Sequence, residues 1–82
     1  MTTREDILTH IRGVLSEFFE VDPARVTLEA NLSKDLEIDS IDAVDLIDQI
    51  RRYTGKKVSP EEFRSVRTVG DLVTVIERMV AP

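Results

Sequence analysis

Eighty-two residues with 11 basic and 16 acidic side chains, a net charge of −5, describe one small domain with a thin core. Apolar residues at 41% and charged residues at 33% fit a folded soluble chain rather than a disordered one. With no cysteine, disulfides, thiolate metal sites and thiol nucleophiles are excluded.

The segment MTTREDILTH carries charges where a signal peptide needs an apolar run. No stretch approaches the roughly 20 apolar residues of a membrane span. A cytoplasmic, membrane-free, monomeric protein is expected, as a single domain over residues 1–82. From Asp35 to Asp48 lie six acids (Asp35, Glu37, Asp39, Asp42, Asp45 and Asp48) and no base. From Arg51 to Arg67 there are six bases against Glu61 and Glu62. The first patch repels a polyanion and the second holds one weakly, so nucleic acid is not an expected partner.

Residues 4–19 predict an amphipathic helix. Ile7, Leu8, Ile11, Val14, Leu15, Phe18 and Phe19 recur at helical spacing, and Thr3 with Asp6 forms a capping-box pattern. His10 falls between stripe positions and reads as a surface residue. Residues 20–38 form a long connection in which Asp22-Pro23 can start a single turn. Val26, Leu28, Leu32, Leu36 and Ile38 are apolar anchors holding that connection to the bundle. Asn31-Leu32-Ser33 matches a glycosylation sequon, without meaning in a cytosolic chain.

A second helix starts at Asp39 or Ser40, with Asp39 as N-cap and Asp42 three residues on. It runs to about Tyr53 and stops before Gly55. Ser59-Pro60-Glu61-Glu62 opens a short third helix ending near Ser65. Thr68 with Asp71 caps a fourth, whose stripe is Val69, Leu72, Val73, Ile76, Met79 and Val80. Gly70 in its first turn costs somewhat under about 1 kcal/mol relative to Ala. The expected fold is all-α: a small four-helix bundle, three main helices and one short, with a long loop between the first two.

Wound at about 100° per residue, the second helix gathers Ala43, Leu46, Ile47, Ile50 and Tyr53 on one core arc. Ile41 and Val44 fall outside it, among Asp45 and Asp48, as a docking surface would. Ser40 sits where helix N–H groups and the positive dipole end favour a phosphate on its oxygen. Capping is the plainer use of a serine there. No base is predicted beside Ser40, so catalysis on its hydroxyl falls to another protein. Asp35-x-Glu37-x-Asp39 fails as a calcium loop, because Ser40 and Leu46 occupy the glycine and glutamate positions.

At Asp35-Leu36-Glu37-Ile38-Asp39-Ser40-Ile41-Asp42 the chain resembles the acyl carrier protein family, and the order of elements extends the likeness over nearly its whole length. The resemblance implies a carrier and no enzyme: 4′-phosphopantetheine joined covalently to Ser40, beside Asp39, carrying acyl groups as thioesters. Fatty-acid, lipid or polyketide-type synthesis would be served. Expected partners are a phosphopantetheinyl transferase and acyl-loading, acyl-transfer or condensing enzymes. Ile41, Asp42, Val44, Asp45 and Asp48 would meet them, bordered by Arg51 and Arg52. Leu46, Ile47 and Ile50 would line or border an acyl-chain cleft. Glu37 in place of a common glycine, and the basic Arg51-Arg52 and Lys56-Lys57, depart from the housekeeping fatty-acid pattern. An aminoacyl, peptidyl or aryl carrier with the same arm is the alternative; a helical adaptor with no arm is the other.

Overall fold

A computed structural model describes residues 3–80. Helix α1 spans Arg4–Phe19, α2 Ser40–Thr54, α3 Pro60–Arg64 and α4 Val69–Val80. The order and kinds of element match the all-α expectation.

Each start is fixed by local chemistry. The Thr3 hydroxyl accepts from the Asp6 N–H at 3.2 Å, and the Asp6 carboxylate accepts from the Thr3 N–H at 3.2 Å. Ser59 caps α3 through the Glu62 N–H at 3.1 Å, with Pro60 at the first helical position. Asp71 accepts from the backbone N–H groups of Arg67 and Thr68, which hold its carboxyl below the usual range. Helix α1 ends on Glu20 at φ 56°, where its N–H and that of Val21 both return to the Leu15 carbonyl.

The core is built from Ile7, Ile11, Val14 and Leu15 of α1, Leu46 and Ile50 of α2, and Val69, Leu72, Val73 and Ile76 of α4. Helix α4 lies against both α1 and α2 and forms the spine of the bundle. Its stripe alone does not close the core. Val26, Ala30, Leu32, Leu36 and Ile38 of the long connection are buried with it. A 3-10 turn, Pro23–Arg25, capped by Asp22, opens that connection as expected.

The connection is tied down by its backbone as well. Leu32 N–H donates to the Arg67 carbonyl at 2.9 Å, Val69 N–H to Ala30 at 3.0 Å, and Gly70 N–H to Leu28 at 2.9 Å. Asn31, read from sequence only as an empty sequon, organises the following turn. Its side-chain oxygen accepts from the N–H groups of Ser33 at 3.0 Å and Lys34 at 2.9 Å.

Four expectations need correction. Leu28 is 39% exposed and holds the loop through its carbonyl, not its side chain. Phe18 is 54% exposed although its helical phase falls within the arc of Ile7, Ile11, Val14 and Leu15, and Phe19, at the edge of that arc, is half-buried instead. His10 is half-buried and stacked on Tyr53 rather than standing alone on the surface. Gly70 is no mere propensity cost: a Cβ there would stand 3.0 Å from the Leu28 carbonyl oxygen.

Candidate functional site

Ser40 reaches the surface through a short, tightly held lead-in. Leu36 and Ile38 are buried on either side of Glu37, and Ile38 N–H donates to the Leu32 carbonyl at 2.8 Å. Between them Glu37 takes φ 57°, a left-handed conformation that glycine adopts more easily. This is the position where the sequence departs from its expected glycine.

At the start of α2 the capping is done by Asp39. Its carboxylate accepts from Ile41 N–H at 3.0 Å and Asp42 N–H at 2.9 Å, while Asp42 accepts in return from Asp39 N–H at 3.4 Å. The reciprocal pair fixes the direction of the helix. Ser40 is therefore its first residue, exposed, with a hydroxyl that has no capping role. The plainer use of this serine belongs to its neighbour.

A phosphodiester fits at that oxygen. Ser40 is exposed, the helix dipole favours an anion, and solvent screens the exposed Asp39.

From Ser40 the exposed side of α2 runs through Ile41, 75% exposed, and Val44, 66% exposed. Both stand outside the core, as the helical phase predicts. Asp45, Asp48, Arg51 and Arg52 share this exposed side, while Asp42 is half-buried in the cap. Arg52 Nε lies 3.4 Å from the Asp48 carboxylate, so one base of the helix end is paired within its own helix. Gly55, at φ 74°, closes α2 by donating to the Arg51 carbonyl at 2.7 Å.

On the opposite flank, a hollow of about 340 Å³ opens between the long connection, α2 and α3. Its apolar walls are Leu32, Ile38, Ala43, Phe63 and Val66. Leu46, Ile47 and Ile50, expected to line or border a cleft, are not among the residues that wall this hollow. Leu46 and Ile50 are fully buried core residues, and Ile47 is half-buried against the same core. Ala43 is the α2 residue that faces the hollow. Phe63 and Val66 escaped the sequence reading, although their three-residue spacing beside the α3 cap was a usable signal.

Among the described residues, no helix is long and apolar enough to cross a membrane.

Residues 9–76 match the family described as "Phosphopantetheine attachment site". The chain is 49% identical over 79 residues to "Acyl carrier protein 2" of Ralstonia nicotianae, covering 96% of this chain and 98% of that one. It is 40% identical over 78 residues to an "Acyl carrier protein" of Thermotoga maritima, covering 95% and 96% of the two chains. Among solved structures, the acyl carrier protein of Enterococcus faecalis superposes with a TM-score of 0.75. The two are 29% identical, over 92% of this chain and 95% of the other.

Proposed function

This chain belongs to the acyl carrier protein family, whose members carry acyl groups on 4′-phosphopantetheine, and we propose that Ser40 is the residue to which the arm is joined. One observation carries the assignment: Ser40 opens α2, exposed, while Asp39 and Asp42 satisfy the helix start without it. The Ser40 oxygen forms a new bond to phosphorus, the pyrophosphate bond of coenzyme A breaks, and adenosine 3′,5′-bisphosphate leaves. The serine proton passes to a base of the transferase, since Asp39 is already committed to two backbone N–H groups.

The arm supplies a thiol on which acyl cargo rides, so this chain positions and shelters rather than catalyses. Ile41 and Val44, with Asp45 and Asp48 beside them, serve as the surface that partner enzymes cover. Arg51 and Arg52 at the far end discriminate among those partners. The hollow walled by Ile38, Ala43, Phe63 and Val66 takes the first part of the cargo. Leu46, Ile47 and Ile50 lie behind it as walls that longer cargo would have to part. Burial gains at most about 0.8 kcal/mol per methylene, which keeps release easy.

The test is intact-mass analysis after incubation with coenzyme A, magnesium and a phosphopantetheinyl transferase. The chain should gain one phosphopantetheine. Ser40→Ala should gain none while keeping its helical circular dichroism, because the cap does not depend on the serine. Modification persisting in Ser40→Ala would overturn the assignment. Cargo is then read from which loading enzymes acylate the modified chain.

A further inference from the structure

Phe18 has no task in the fold. It stands in the last turn of α1, 54% exposed, while its neighbour Phe19 packs on the core. Its ring forms part of two hollows at once. One, about 530 Å³, lies between α1 and α2 and is lined by His10, Gly13, Val14, Gln49 and Tyr53. Apart from the adjacent residues and the backbone of α1 itself, no heavy atom lies within 4 Å of where a Gly13 Cβ would be, so the space above that floor is open. The other, about 540 Å³, runs past Ile38 to Asp42, two residues from Ser40.

This second hollow is strongly acidic. Glu17, Glu20, Asp22, Asp35, Glu37 and Asp42 border it. Arg25 is the one base there, and its guanidinium donates to the Asp35 carbonyl at 2.6 Å. An exposed aromatic ring inside an acidic rim suits a partner with an apolar recess edged by lysine or arginine.

Position narrows the choice of partner. An enzyme working at the far end of the arm needs no contact with the Ser40 oxygen and can be held by Ile41, Val44 and the acids beside them. An enzyme acting on the Ser40 oxygen itself must lay its active site against the start of α2, whose first turn also carries Asp42 at the rim of the acidic hollow. Such an enzyme also binds coenzyme A, whose phosphates demand a cationic active-site mouth. Charge and place agree on the same occupant.

We propose that Phe18, with the acidic hollow it walls, is a docking anchor for the phosphopantetheinyl transferase that modifies this chain. The proposal rests on Ser40 being the attachment residue.

Initial rates of coenzyme A-dependent modification, followed by intact mass on the full apo chain, test it. Phe18→Gln should raise KM for the carrier about tenfold with kcat little changed. Phe18→Leu, which restores an apolar side chain, should recover most of that loss. Glu17→Gln with Glu20→Gln should raise KM at low salt, with the difference fading at high salt. Melting curves of the Phe18 variants should stay close to the parent, since the ring is exposed.

An unchanged KM in Phe18→Gln overturns the proposal. So does normal loading combined with slower turnover by a condensing enzyme, which would give the anchor to another partner. Self-association of the parent that Phe18→Gln abolishes would assign the patch to a second copy, against the proposal. If the parent chain takes no arm, the Ser40 assignment fails first and carries this inference with it.

Discussion

The imidazole of His10 lies flat on the ring of Tyr53, with centroids 3.7 Å apart and planes 13° from parallel. His10 belongs to the middle of α1 and Tyr53 to the last turn of α2. Helix α2 leans mainly on α4, so this stack is a distinct tie between the first two helices. Partial burial lowers the His10 pKa from its ordinary value of 6.5. Glu17 and Arg52, of opposite sign, are the charged groups that line the same hollow.

The direction of the pH effect follows. The fold prefers neutral His10, so the unfolded chain takes up the proton first as pH falls. The contribution of His10 should be complete above its ordinary pKa and decline as pH drops toward the lowered value of the folded state. Thermal melts between about pH 8 and pH 5 should therefore show a loss on the acid side that His10→Phe, which keeps a ring but cannot titrate, lacks. If the parent instead gains stability relative to His10→Phe on acidification, attraction between imidazolium and the Tyr53 ring outweighs desolvation.

The exposed and buried sides of α2 should separate cleanly in stability measurements. Ile41→Ala and Val44→Ala should each cost well under about 1 kcal/mol, since neither side chain is enclosed. Leu46→Ala and Ile50→Ala should cost about 2–5 kcal/mol. The two surface variants should still slow transfer by partner enzymes. Denaturant melts give the first comparison and turnover assays the second. A Val44→Ala variant as unstable as Leu46→Ala would contradict the burial described above.

Two backbone positions call for opposite substitutions. Helix propensity alone makes Gly70→Ala stabilising by up to about 1 kcal/mol. The added Cβ would instead press on the Leu28 carbonyl, which already accepts the Gly70 N–H at 2.9 Å. A net loss on the order of 1 kcal/mol is expected. Glu37→Gly should move the other way, because φ 57° strains any residue with a Cβ. The relief, partly offset by the greater freedom of an unfolded glycine, is expected to reach up to about 1 kcal/mol. A Gly70→Ala chain more stable than its parent would show that the long connection yields freely.

The contrast between these two positions marks what can be read from sequence. Helix ends were legible because their signals are local: Thr3 with Asp6, Asp39 with Asp42, Ser59 before Pro60, Thr68 with Asp71. Each satisfies backbone N–H groups a few residues away, and α1 and α2 begin where those pairs indicate. In the lead-in to Ser40 the anchors Leu36 and Ile38 were legible, but the left-handed turn at Glu37 between them was not. The bridge between Asn31 and Thr68 was not, because it joins segments far apart in the chain. Gly70 takes its meaning from the Leu28 carbonyl of the same connection, also far away in the chain, and so lost its apparent simplicity. Helical phase placed Leu46, Ile47 and Ile50 on the inner arc, but open space is set by what packs opposite. The loop and α3 leave room beside Ala43 instead. Periodicity favours Phe18 over Phe19 for the covered face of α1, and the structure covers Phe19 instead, because at the last turn of a helix the neighbours decide what is covered.

The charge reversal along α2 yields the remaining test. Carboxylates at Asp39, Asp42, Asp45 and Asp48 give way to Arg51 and Arg52 in the last turn. Partners that bind an acidic carrier present basic surfaces, so these arginines should repel part of such a footprint and favour a partner with an acidic or neutral spot there. A purely structural account also exists. Both arginines favour the negative end of the α2 dipole, and Arg52 meets Asp48 at 3.4 Å. That pair is well exposed and so of little energetic weight. Changing both residues to Glu separates the accounts. If they set partner choice, a fatty-acid ketosynthase should turn over the acylated Arg51→Glu, Arg52→Glu chain faster than the parent at low salt. The gain should shrink as salt screens the contact. If they serve only the helix, the double variant should melt lower while its turnover at low salt stays level or falls. In that case partner choice lies elsewhere on the carrier.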